Sequence, residues 1–328
     1  MKNILKDLHN HRTLEKSEAK KILTNISQGD LNSSEIASFL TVFLMRKITI
    51  DELSGFRNAL LDLCIPVDLK EFNPIDLCGT GGDGKNTFNI STLASFITAG
   101  AGVKVAKHGN YGVSSTSGSS NVMEQLGFNF TNDIGKIKQQ IEQANICFLH
   151  APLFHPAMKI VAPIRRELGV KTFFNMLGPM VNPSQPKNQM VGVFSLELLR
   201  LYKYLYQQSN INYSILYSLD GYDEISLTND TRVVSNNEDS LKTPSFFKSN
   251  ELNQSQLFGG DSVKESSQIF IKILKKNGTE AQNKVVLANA AIAIQTSTQK
   301  SFDESYELAK ESLESKEAYQ SLQKLFAI

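Results

Sequence analysis

Apolar residues recur at helical spacing through about the first 70 positions and then change period. Ile36, Phe39, Leu40, Phe43 and Leu44 fall along one helix face. Asn32 with Glu35, and Thr49 with Glu52, have the spacing of capping boxes, in which side chains satisfy the orphan N–H groups of a helix start. Pro66 and Pro74 flank the change of character. Beyond them, short apolar runs predict strands at Ile75–Cys78, Val103–Ala106, Ile146–Leu149, Met190–Phe194 and Ser214–Leu219. Helical stretches lie between them at Leu93–Ala101, Ile134–Ala144 and from about Leu196 to Gln208. This alternation predicts an α/β fold with a mostly parallel central sheet flanked by helices. About the last 70 residues return to the helical period, with LANAAIAI as a buried small-residue helix. The polar segment from Asn229 to Gln256 shows no clear period, and no internal repeat or low-complexity tract is present. The expected organisation is a small all-helical domain over residues 1–70, with a later contribution from about 160–188, and a large α/β domain over 71–328.

The 328 residues suffice for one large and one smaller domain, and a hydrophobic content of 41% is ordinary for a globular protein. The formal charge is +1, from 34 basic against 33 acidic residues. A general nucleic-acid binder would show a basic surplus, so any anion binding must be local. Cys64, Cys78 and Cys147 form no paired or CxxC pattern and read as reduced thiols, the latter two inside buried strands. The first residues, MKNILKDLHNHRTLEKSEAKK, carry charges throughout and lack the apolar core of a signal peptide. No apolar run approaches the ~20 residues of a membrane span. A soluble cytoplasmic protein is expected, with neither nucleic acid nor membrane as partner.

Two glycine- and hydroxyl-rich loops carry the candidate chemistry: GTGGDGKNTFNIST over 79–92 and KHGNYGVSSTSGSSN over 107–121. Each follows a predicted strand. Such loops expose many main-chain amides and few bulky side chains, which suits them to phosphate or diphosphate oxygens. Gly79, Gly81 and Gly84 also satisfy the GxGxxG pattern of dinucleotide folds. Two details oppose that reading. The helix starts near Ser91 rather than within the motif, and Lys107 follows the second strand where a ribose-binding acid is expected. Asn89, Ser91 and Thr92 form a second polar group at the helix start, suited to another phosphate or a metal. Asp83 would repel phosphate unless it takes ribose hydroxyls or a cation. The adjacent Asp223 and Glu224 suit Mg²⁺, which takes one or two carboxylates plus substrate phosphate oxygens.

GTGGDG with N-x-S-T, followed by KHGN and SGS, resembles the anthranilate phosphoribosyltransferases of tryptophan biosynthesis. APLFHPAMK (151–159), the run from Arg165 through FNMLGPMVNP (174–183), GYDE (221–224), FGGD (258–261) and LANAA (287–291) follow in the family's order, so the resemblance spans the whole chain. It implies transfer of the phosphoribosyl group of 5-phosphoribosyl 1-diphosphate (PRPP) to the amine of anthranilate, releasing diphosphate. Gly79, Gly82, Asp83, Thr87, Asn89, Ile90, Ser91 and Thr92 would line the PRPP site. Lys107, His108, Gly109, Asn110, Tyr111, Gly112, Val113, Ser114 and Ser115, with Ser119, would close over its phosphates. Ser91 and Glu224 would hold one Mg²⁺ and Asp223 with Glu224 a second, giving two per monomer. Gly79, Asn110 and Arg165 would contact anthranilate, with His108, Pro152, His155 and Met158 nearby. A homodimer through the helical domain is also implied, and the helix of Phe39 and Phe43 is compatible with that or with ordinary core packing.

Two positions depart from the family pattern. Tyr111 stands where arginine is usual and Asn121 where aspartate is common, which puts the loop's neutralisation of diphosphate in question. The expected transition state is an oxocarbenium ion leaving a highly charged anion, so the main task is electrostatic, performed by Mg²⁺, Lys107 and loop amides. Arg165 offers a planar fork for the anthranilate carboxylate, and of Arg165 and its neighbour Arg166 one is expected at the surface. No general base is assigned; His108 is the weak candidate. The amine site is expected at the domain junction, with domain closure excluding water. Competing readings are a pyrimidine nucleoside phosphorylase of the same architecture and a non-enzymatic, nucleic-acid-binding relative.

Overall fold

Both capping boxes form. Asn32 accepts from the Glu35 amide at 3.0 Å and Thr49 from the Glu52 amide at 3.2 Å, while each glutamate accepts in return from the cap amide. They start two of the four opening helices: α1 (Lys2–His9), α2 (Lys16–Gln28), α3 (Ser33–Met45) and α4 (Ile50–Leu63). The computed structural model describes residues 1–112 and 116–328. It divides into two compact units, Met1–Pro66 with Ala151–Pro183, and Val67–His150 with Ser184–Ile328.

The first unit is helical. Its core is an aromatic cluster of Phe39 and Phe43 from α3, Phe56 from α4, and Phe173. Phe56 stacks on Phe173 at 4.4 Å, and Phe173 stacks on Phe174 at 4.6 Å. Phe39 and Phe43 are therefore core residues, whereas Leu44 and Met45 at the end of α3 are 42% and 81% exposed. Glu52 is fully buried and accepts from the Leu14 amide at 2.9 Å and from both terminal nitrogens of Arg46 at 2.9 and 2.5 Å. One carboxylate thus ties the α1–α2 connection to α3 and α4.

The second unit is built on one seven-stranded sheet in the order β3-β2-β1-β4-β5-β6-β7. The strands are β1 (Ile75–Gly79), β2 (Val105–Gly109), β3 (Ile146–His150), β4 (Asn188–Gly192), β5 (Asn212–Ser218), β6 (Thr231–Ser235) and β7 (Asp239–Lys242). The first five run parallel, and β6 and β7 add antiparallel. Strand β2 begins two residues later than its apolar run suggests. Its register with β3, Val105 on Ile146 through Gly109 on His150, draws Lys107 and His108 into the buried sheet. Helix α5 (Ile90–Gly100) likewise starts earlier than Leu93, with Asn89 at its cap position. The helix Glu280–Thr298 is buried along most of its length and joins α5 in the core around the sheet.

The chain order reverses between β1 and β4: β1 leads to β2 and β3 on one side, and β4 leads to β5 on the other. Beyond the carboxyl ends of such a pair the crossovers diverge and leave a crevice, the usual ligand position of open α/β sheets. The first glycine loop leaves β1 there.

Burial alone would raise the Glu52 carboxyl, but Arg46 and the Thr49 and Leu14 amides outweigh it and hold it below the usual range. A lowered native pKa stabilises above the unfolded value of about 4.3 and loses that contribution as pH falls through the native value. Glu52→Ala is expected to destabilise the helical unit by about 3 kcal/mol at pH 7. Denaturant unfolding at pH 7 and at pH 3 checks it: equal stability of wild type and variant at pH 7 contradicts the clamp.

Candidate active site

The site grows from glycines at two strand ends. A Cβ on Gly79, the last residue of β1, would collide with the Asp223 carboxylate, and one on Gly192, the last residue of β4, would collide with the Asp223 carbonyl. Only glycine at both ends lets the segment after β5 lie across them. Thr80 N donates to Gly192 O at 2.9 Å, and Gly81 N donates to the Asp223 carboxylate at 2.7 Å. Gly81, Gly82 and Gly84 adopt φ of +64°, +82° and +74°, the left-handed region that admits glycine without strain.

The acidic turn is held from several sides. Ser218 Oγ donates to Glu224 O at 2.7 Å, and Gly221 N donates to Ser218 O at 2.8 Å. Asn289, 1% exposed, accepts from Ile225 N at 3.1 Å and donates to Ile225 O at 2.9 Å, fixing the residue after Glu224 from the central helix. At the start of α5 the Ser91 amide donates to Glu224 Oε1 at 2.8 Å. The FGGD segment braces the first loop from outside: Phe88 N donates to Leu257 O at 3.1 Å, Gly259 N to Asn86 O at 2.9 Å, and the Asn86 amide to Gly260 O at 2.9 Å.

Asp83, Asp223 and Glu224 therefore share one region without a compensating ion pair among the described residues. Burial raises all three carboxyls; repulsion from Asp83 helps push Asp223 up to about 7, and repulsion from Asp223 adds to the rise at Glu224. Crowded, desolvated carboxylates are the environment that a divalent cation relieves. Among the described residues, no three His, Cys, Asp or Glu side chains form a complete metal cage. Ser91, Asp223 and Glu224 are the groups here that could hold a divalent cation such as Mg²⁺, which takes one or two carboxylates and fills the rest of its shell from water and substrate.

The two loops meet through Asn89, whose amide donates to Ser117 O at 3.0 Å while its buried Oδ1 has no partner among the described residues. Asn121 closes the base of the second loop, its Oδ1 accepting from Gly112 N at 2.9 Å and Gly118 N at 3.0 Å. Asn110 O accepts from Ser120 N at 3.1 Å and Ser119 Oγ at 3.3 Å. Asparagine at 121 thus supplies a two-amide acceptor without a charge. Tyr111 turns outward, its hydroxyl to Glu124 at 3.3 Å and its ring edge-on to His150 at 4.9 Å.

Thr87, Ile90 and Thr92 sit where the sequence expects, in the first loop and the first turn of α5, with Ile90 and Thr92 buried. Lys107 does not. It is 2% exposed within β2, and its Nζ donates to Leu77 O of β1 at 2.6 Å. His108 is also buried, with its amide donating to Asp76 Oδ1 at 3.1 Å. Val113, Ser114 and Ser115 lie outside the described residues.

In the helical unit, Arg165 on the helix Met158–Leu168 is partly buried, and Arg166 is exposed. The Arg165 guanidinium lies 5.2 Å from the Phe174 ring centroid and donates to Asn175 Oδ1 at 3.2 Å. Its Nε has no hydrogen-bond partner, and no carboxylate pairs with it among the described residues. Burial lowers its pKa by disfavouring the charged form. His155 is buried in the same unit and pushed down to about 4, a weak base. Pro152 and Met158 lie in and at the start of adjacent helical segments.

The sequence model of the glycosyl transferase family, a/b domain, matches residues 71–319, and that of its helical bundle domain matches residues 2–64. An anthranilate phosphoribosyltransferase of Flavobacterium psychrophilum is 64% identical over 325 residues, covering 99% of this chain and 98% of the relative. The chain belongs to the anthranilate phosphoribosyltransferase family. The family's crystal structure from Thermus thermophilus superposes with a TM-score of 0.91 at 31% identity, covering 98% of both chains. The Saccharomyces cerevisiae family member in complex with PRPP and Mg gives 0.88 at 29% identity, covering 96% of this chain and 93% of that one. Family membership sets aside the nucleoside phosphorylase and nucleic-acid-binding alternatives. The signal for Asn289 was present in the LANAA motif, but its grip on Ile225 is a contact of distant segments.

Gly192→Ala is expected to displace Asp223 and Glu224 and lower turnover by about 10²-fold, the usual cost of moving reacting groups by an ångström. Steady-state kinetics on a variant with an unchanged circular dichroism spectrum checks this, and wild-type turnover would contradict the wedge.

Proposed function

We propose that this chain transfers the phosphoribosyl group of PRPP to the amine of anthranilate, giving N-(5-phosphoribosyl)anthranilate and diphosphate in tryptophan biosynthesis. The single observation that carries the reading is the meeting of two amide-rich loops with an unneutralised Asp223–Glu224 pair at the β1–β4 crevice, in a chain of this family. Gly79, Gly82, Asp83, Thr87 and Asn89 to Thr92 line the PRPP site, together with Lys107 to Ser115 and Ser119. The buried, partnerless Oδ1 of Asn89 is an acceptor available to a ribose hydroxyl. Ser91 and Glu224 hold one Mg²⁺, and Asp223 with Glu224 a second. When bound, the metal neutralises charge that develops on the diphosphate as the glycosidic bond breaks.

The chain's own residues then act by placement. Arg165 presents its free guanidinium edge to the anthranilate carboxylate, a charge-assisted pairing that a lysine would match less well. Asn110 orients the amine, and Gly79 leaves room beside it. An aromatic amine is neutral at pH 7, so attack on the anomeric carbon proceeds without a strong base, consistent with the weak basicity of His155. The three unpaired cysteines suit a reducing cytoplasm. Exposed Leu44 and Met45, with the neighbouring cavity of about 320 Å³ lined by Leu8, His9, Ser38 and Val42, support a homodimer through the helical unit. Light scattering on the purified chain should give twice the monomer mass; a monomer removes this part.

The decisive assay is loss of anthranilate fluorescence on adding the protein, Mg²⁺ and PRPP. Arg165→Ala should raise the anthranilate KM far more than the PRPP KM, and equal effects would remove Arg165 from the carboxylate. Asp223→Asn with Glu224→Gln should lower turnover and flatten the Mg²⁺ titration, and an unchanged titration would place the metal elsewhere.

A further inference from the structure

The folded loops hold fewer available cations than their sequence suggests. Residues 79–92 contain one basic side chain, Lys85, and residues 107–121 contain Lys107 and His108. The Lys107 ammonium is bound to the Leu77 carbonyl inside the sheet. Position 111, where the family usually has arginine, carries a tyrosine turned to Glu124. A diphosphate leaving group needs positive charge close by, which Tyr111 does not offer.

Lys85 does. It is partly exposed and forms no ion pair among the described residues. Its amide is fixed by Asp83 Oδ1 at 3.0 Å, which roots the side chain beside the acidic cluster. Its Nζ stands 4.6 Å from the centroid of the Tyr222 ring, one residue before Asp223. An ammonium resting on an aromatic face at a partly exposed site is held weakly and exchanges readily for phosphate oxygens, which accept charge-assisted hydrogen bonds. Its flexible four-carbon stem allows that movement without a change in the loop backbone.

We propose that Lys85 is a PRPP-binding residue that neutralises the diphosphate of the substrate, supplying from the first glycine loop the charge that the second loop lacks at Tyr111. The proposal rests on the phosphoribosyl transfer reading above. It identifies Tyr222 as the resting place of the cation before substrate arrives.

The test compares wild type, Lys85→Ala, Lys85→Arg and the double variant Lys85→Ala/Tyr111→Arg, with kcat and both KM values at fixed Mg²⁺ and a thermal midpoint for each. Loss of one charged hydrogen bond predicts a PRPP KM raised about tenfold or more in Lys85→Ala, with the anthranilate KM within about twofold of wild type. Lys85→Arg should restore most of the PRPP affinity. The double variant should regain part of it, because a cation at 111 replaces the missing one. An unchanged PRPP KM in Lys85→Ala overturns the proposal. So does a parallel rise of both KM values with a lowered thermal midpoint, which would reduce Lys85 to packing on Tyr222. Wild-type protein that consumes no anthranilate would instead overturn the reading of the reaction itself, and this proposal with it.

Discussion

The close approach of Asp223 to two glycines is the constraint from which the rest of the site follows. Strands β1 and β4 end side by side in Gly79 and Gly192, and the absence of a side chain at both lets the segment after β5 lie across their ends. The Gly81 amide then reaches the Asp223 carboxylate, and the Ser91 amide reaches Glu224. One packing decision therefore aligns the first loop, the start of α5 and the acidic turn. Asn289 and Ser218 secure the arrangement from the buried side, so it does not depend on ligand for its shape.

Electrostatics gives that shape its chemical direction. Burial raises three carboxyls in the crevice and repulsion adds to the rise at Asp223 and Glu224, while Lys107 of the sheet is bound to a main-chain carbonyl. Among the described residues the protein is thus short of positive charge where the acids lie, a balance that a divalent cation with a phosphorylated substrate would complete. The helical unit presents the opposite case: Arg165 is a partly buried cation without a carboxylate among the described residues, steadied by Phe174 and Asn175. Its ring contact continues through Phe173 into the aromatic core, so the position of the guanidinium is tied to the packing of α3 and α4.

Much of this was legible in the chain, for local reasons. Capping boxes depend on residues three apart, and the helix Ile134–Ala144 has the bounds that its periodicity predicts. Glycine-rich turns announce themselves because few other residues tolerate their dihedral angles. Strands β6 and β7 escaped notice within the polar stretch after Asn229. They form the antiparallel edge of the sheet, where Arg232, Asp239 and Lys242 face solvent and no apolar alternation is needed. Strand β2 was shifted because pairing with β3, not its own apolar run, sets its register.

By itself the sequence determined the family, the two amide-rich loops and the adjacent acids, since each is a matter of residue identity and spacing. Only the tertiary structure decided which charges remain available. Lys107 reads as a loop cation until the β1–β2 pairing buries it on Leu77, and Lys85 reads as incidental until Tyr222 and Asp83 are seen beside it. A side chain's charge is fixed by its covalent structure, but the field it contributes depends on burial and on partners that distant segments bring.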